Sequence, residues 1–145
     1  MTNLSYRFVR KTAMKKHTIL VPLGAALLLS SCSPFVSHWN ARMFVHSNTS
    51  HSASMEFDEF TGLMVHNMKA GEGNGYLLKY ETKLGEGKFV ISYATDENSV
   101  KEIFTINGGE TKNDVWAIPE IGNFYLLVES EGTAKNGKFF FDIVH

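Results

Sequence analysis

From Met55 to the end of the chain, apolar and polar residues alternate in short runs cut by glycine-rich turns. This period of two constrains the fold more than any other feature. In residues 76–83, Tyr76, Leu78 and Tyr80 share one face, with Lys79, Glu81 and Lys83 on the other. Residues 88–94 place Phe89, Ile91 and Tyr93 together, and residues 101–107 carry Ile103, Phe104 and Ile106. Residues 115–119 set Trp116 and Ile118 against Val115 and Ala117. Residues 124–129 set Phe124, Leu126 and Val128 against Tyr125, Leu127 and Glu129. Residues 138–144 align Phe139, Phe141 and Ile143, while residues 55–68 form a longer apolar run with Gly62 as a bend or bulge. No stretch repeats with the 3.6-residue period of an amphipathic helix. The pattern predicts an all-β chain, an antiparallel β-sandwich of about seven to eight strands, with jelly-roll and immunoglobulin-like topologies both open.

The chain before these strands is of another kind. Lys15 and Lys16 precede an apolar run of eleven residues, 19–29, then Ser30, Ser31 and Cys32. A bilayer-spanning helix needs about 20 residues, and Pro22 and Gly24 interrupt this run, so it reads as an export signal. Leu29-Ser30-Ser31-Cys32 resembles the lipobox of bacterial lipoproteins. That resemblance implies a diacylglyceryl group on the Cys32 sulfur, cleavage after Ser31, and acylation of the new amino terminus. Two or more acyl chains anchor a protein stably where one is marginal. The organisation expected is a signal over residues 1–31, a lipidated cysteine with a Ser-rich tether over 32–54, and a sandwich domain over 55–145. Met14, followed by two lysines, is a more usual start for such a signal, which makes residues 1–13 a start-site extension. Within the tether, Trp39, Met43, Phe44 and Val45 form a short apolar cluster that reads either as an extra edge strand or as an unfixed segment.

Removing the signal changes the charge. Five of the fourteen basic residues precede Cys32 and all fifteen acidic ones follow it, which leaves nine against fifteen, a net charge of −6. Such a domain does not suit nucleic acid or an anionic lipid surface. Cys32 is the only cysteine, so lipidation leaves no disulfide and no catalytic thiol.

Little in the remaining sequence carries chemistry. His46 and His51 lie five apart in the tether, no HExxH or paired Cys/His spacing occurs, and the histidines read as surface residues, with no metal and no cofactor. Asp96-Glu97-Asn98 lacks the spaced ligands of a calcium loop. There is no Gly-x-Ser-x-Gly, and the carboxylates are scattered over outward positions. Aromatic residues give one sharper expectation: Trp116 and Tyr125, on strands beside turns, can stack on sugar rings if they are exposed. Tyr125, opposite Phe124, Leu126 and Val128, is the better placed of the two.

Taken in order, the segment 55–62, the Gly85-Glu86-Gly87-Lys88-Phe89 hairpin, Gly122-Asn123-Phe124-Tyr125 and Asn136-Gly137-Lys138-Phe139 resemble small Gram-positive (Firmicutes) lipoproteins with a single β-sandwich domain. More distantly, the domain resembles the non-catalytic sandwich modules of secreted bacterial enzymes. These resemblances imply a protein anchored by lipid on the outer face of the cell membrane, non-enzymatic, that binds envelope polysaccharide or an envelope protein. The alternative is an accessory or inhibitory subunit of an envelope complex, which would use an exposed strand edge in residues 55–68 or 138–144.

Overall fold

Nine strands follow one another without an intervening helix among residues 33–145, which the structure, a computed structural model, describes. The export segment with Leu29, Ser30, Ser31 and Cys32 lies outside the described residues. The strands are β1 (His38–Arg42), β2 (Val45–Asn48), β3 (Ser52–Ala70), β4 (Leu77–Glu86), β5 (Lys88–Ala94), β6 (Lys101–Asn107), β7 (Thr111–Ala117), β8 (Gly122–Ser130) and β9 (Ala134–Val144). All the pairings are antiparallel.

The register shows how the sandwich is made. Leu63 pairs with His38 on one side and Glu129 on the other, and Phe60 pairs with Ala41 and with Ala134. Strands β8 and β9 therefore run in succession along one edge of β3, with β1 on the opposite edge. Along that β8–β9 ribbon run β5 and β4, and outside them β6 and β7. The result is four long ribbons side by side, folded over across their middle.

Each ribbon bends at a glycine with positive φ: Gly62 (+118°), Gly87 (+93°), Gly109 (+84°) and Gly132 (+74°). Residues with a Cβ reach this region only at a cost, so glycine is what lets a strand turn there. The bend at Gly87 is also tight. Its carbonyl accepts from Gly108 N–H at 2.8 Å, and a Cβ placed on it would sit 2.8 Å from Ala134 Cα. At Gly62 the N–H donates to Ser130 Oγ at 2.8 Å, fastening the bend of β3 to the end of β8.

Folding produces two layers: the first half of β3, β9, β4 and β7 in one, and the second half of β3, β8, β5 and β6 in the other. Counting the halves of β3 separately, these eight segments lie in the order 1-8-3-6 and 2-7-4-5. That is the order of a jelly roll, which settles the topology that the strand pattern left open. Aromatic contacts join the layers across the core: Phe89 meets Phe139 at 4.8 Å and Phe57 at 5.6 Å, and Tyr80 stacks on Phe104 at 4.2 Å. Burying side chains of this size contributes on the order of 2–3 kcal/mol each.

Two sequence expectations require revision. Residues 38–42 and 45–48, inside the stretch taken as a tether, pair onto β3 as β1 and β2, which is the edge-strand reading of the Trp39–Val45 cluster carried further along the chain. A polar composition does not keep a chain off an open sheet edge when its few apolar residues find the core. Here Phe44 approaches Phe60 at 5.9 Å, Trp39 approaches Phe60 at 6.2 Å, and Ala41 packs beside them. The strand edges expected to be open, in residues 55–68 and 138–144, are largely closed: β3 has strands on both sides as far as Leu63, beyond which only β8 pairs with it, and β9 lies between β3 and β4. The edges that remain open on the outer ribbon belong to β6 and β7, each with a single neighbour.

Candidate functional site

Phe139, Phe140 and Phe141 are consecutive in β9, so the strand's alternation turns Phe140 to the face opposite the other two. Phe139 and Phe141 are fully buried, and Phe140 is left 39% exposed on the outer face of the first layer. Its row across the sheet runs Ser54, Phe140, Glu81, Asn113. The next row runs Glu56, Lys138, Lys83, Thr111. A shallow hollow of about 150 Å³ joins Phe140 to Glu81, Lys83, Thr111, Asn113 and Lys138. This face is mostly polar around one apolar ring, with Val45 beside Glu56 and Val115 beside Lys79 also exposed on it.

Its charges are only partly matched. Lys138 Nζ lies 3.2 Å from Glu56, and Lys79 Nζ lies 2.9 Å from Glu81, whose hydrogen bond and charge hold the Lys79 ammonium above its ordinary pKa. Lys83 makes no ion pair among the described residues. Surface pairs of this kind contribute about 0–1 kcal/mol to stability, so they shape the face more than they hold the fold.

The two aromatic residues singled out from sequence are not brought together. Tyr125 lies on the outer face of the second layer, half-buried, with Phe35 packed edge-on against it at 5.3 Å. Beside it, Ser50, Asn67, Lys69 and Asn123 line a hollow of about 360 Å³. Trp116 turns toward the core, 5.3 Å from Tyr93, and Lys101 Nζ sits 5.8 Å from its ring centre. Among the described residues, the exposed aromatic rings of Phe, Tyr and Trp are instead Phe140 and Trp39. The signal for Phe140 was present in the sequence: the aromatic triplet forces its middle member outward.

Other groups do not converge on a reaction. The loop end of the sandwich holds a hollow of about 490 Å³ beside Ala70, Asn74, Tyr76, Ile118 and Glu120, with a single carboxylate in it. Ser50 Oγ and His51 Nδ1 are 2.8 Å apart, but they are chain neighbours on an exposed loop, and no carboxylate orients His51 among the described residues. No group of three His, Cys, Asp or Glu able to hold a metal occurs among the described residues. His66, expected at the surface, is buried on the inner side of β3, and its Nε2 has no hydrogen-bond partner among the described residues. Burial, with His46 nearby, lowers its pKa from 6.5 to about 4.

No family model matches the chain, and no curated relative does. Several solved structures are similar to it. One is TmCBM61 in complex with β-1,4-galactotriose, at 14% identity over 78% of this chain and 90% of that one, TM-score 0.49. Another is a mutant of CBM29-2 complexed with cellulohexaose, a family 29 carbohydrate-binding module, at 15% identity over 78% and 80% of the two chains, TM-score 0.43. A third is the C-terminal CBM6 of LamC from Zobellia galactanivorans, at 13% identity over 71% and 90%, TM-score 0.37. The likeness is one of β-sandwich fold.

Proposed function

We propose that this chain is a lipid-anchored, non-enzymatic module on the outer face of the cell membrane, and that it holds envelope polysaccharide on the outer face of its first layer. One observation carries the binding site: Phe140, 39% exposed, a ring whose neighbours on the sheet face, Ser54, Glu81, Lys138 and Asp142, are polar or charged. A sugar ring has an apolar face of C–H groups and an equatorial rim of hydroxyls. Phe140 offers an apolar surface for the first, and Glu81, Asn113 and Thr111 offer acceptors and donors for the second. The anchor rests on the lipobox-like Leu29-Ser30-Ser31-Cys32. Titration of the soluble domain with a panel of purified envelope glycans tests the binding. The expected result is saturable binding that Phe140→Ala weakens while the protein stays folded. Unchanged binding by that variant would refute the site. Metabolic labelling with an alkyne fatty acid tests the anchor, since Cys32→Ala should remove the label and release the protein from membranes.

A second reading, an accessory subunit of an envelope complex, draws on the unpaired edge of β6 and β7 and on Val115, half exposed beside it. Cross-linking in the native cell separates the two readings by whether the contact falls on β6, in the other layer, or on the Phe140 face.

A further inference from the structure

We propose that the polysaccharide bound at Phe140 is a uronic-acid polymer, one whose sugar rings carry carboxylates; this rests on the glycan reading above. Lys83 and Lys138 lie directly opposite each other on β4 and β9. Like charges in that relation are destabilising, so the pair is a cost that the fold does not need. The neighbouring carboxylates relieve it only in part. Glu56 is paired with Lys138 at 3.2 Å, and Glu81 is paired with Lys79 at 2.9 Å. Lys83 therefore stands beside a second cation with no carboxylate partner among the described residues, although the chain after Cys32 carries a net charge of −6. An anion bound at Lys83 would neutralise it.

The position of Phe140 selects the kind of anion. Because Lys83 faces Lys138 and Glu81 faces Phe140, Lys83 and Phe140 are diagonal neighbours across the ladder. Diagonal positions are about 7–8 Å apart, within reach of a lysine side chain. A pyranose stacked on Phe140 carries its ring carboxylate at its rim, toward the Lys83 ammonium. One uronate residue then supplies both the apolar face and the charge. A phosphate on an open-chain polyol supplies the charge without a ring face, so it uses half of the site. The acidic domain repels any polyanion at long range, so the preference arises from this local cation and not from steering.

The test compares an oligogalacturonate with its carboxyl-reduced counterpart by calorimetric titration, using the wild-type domain, Lys83→Gln and Phe140→Ala. A charge-assisted contact of this type is expected to make the uronate bind about tenfold more tightly than the reduced sugar. Lys83→Gln should erase that preference while leaving the reduced sugar's affinity in place, and Phe140→Ala should weaken both. Equal binding of the two sugars by the wild type, a preference that survives in Lys83→Gln, or tighter binding of a polyol phosphate would each overturn the uronate proposal and leave the glycan reading standing. Failure to bind these and every other glycan would overturn the glycan reading, and this proposal with it. Both substitutions are at exposed positions, and a thermal melt of each variant confirms that it is folded.

Discussion

The two outer faces of the sandwich have the same alternation and different fates. On the second layer, Tyr125 points outward, but Phe35 packs on its ring, and Val65 N–H donates to Ser37 Oγ at 2.9 Å, so the segment before β1 crosses that face. Leu127, also outward by alternation, is left only 8% exposed. On the first layer, Phe140 points outward with polar and charged rows on either side. Alternation tells which side of a sheet a residue takes. It does not tell whether another part of the chain lies over that side.

Substitutions on the two faces and in the core between them should separate these roles. The largest effect is expected inside. Phe89 is fully buried against Phe57, Phe60 and Phe139, and Phe89→Ala should cost about 3–5 kcal/mol in a denaturant melt. The next concerns His66. Its folded pKa of about 4 lies below the ordinary 6.5, so between these values the unfolded chain takes up a proton that the folded chain refuses. Stability should be full above about pH 6.5 and fall by on the order of 3 kcal/mol as pH drops toward 4. His66→Leu should flatten that slope, and an unchanged slope would place its origin elsewhere.

Two smaller effects bear on the faces directly. Phe35→Ala should cost about 1 kcal/mol, because it removes one aromatic contact from a half-covered face. It should also make Tyr125 more accessible to a quencher or to nitration. Phe140→Ala should change stability by less than about 0.5 kcal/mol, as expected for an exposed position that packs against little. If Phe140→Ala destabilised the protein as much as Phe35→Ala, the contrast between the faces would fail.

The extent of the sequence reading follows the same line. Strands β5 and β6 were legible to the residue, because their inward positions are aromatic or branched and glycine or polar turns bound them. Gly62 was legible as a bend, since a lone glycine in a long apolar run has few other uses. Strands β1 and β2 were legible only in part: the Trp39–Val45 cluster read either as an edge strand or as an unfixed segment, and it takes the free edge of β3 to decide between them. The outward side of Phe140 was legible from the alternation of Phe139, Phe141 and Ile143, but not its exposure, which depends on no other part of the chain covering that face. His66 was missed because burying an imidazole has no pattern in the chain; it follows from which side of β3 closes over.

The central claim is that the first-layer face, not the face around Tyr125, holds glycan. Backbone amide shifts of the labelled domain during a glycan titration test it most directly. The account predicts that residues 81–83, 111–113 and 138–140 shift together with one affinity, while Asn67, Asn123 and Tyr125 stay still. Saturable shifts confined to Asn67, Asn123 and Tyr125 would contradict it.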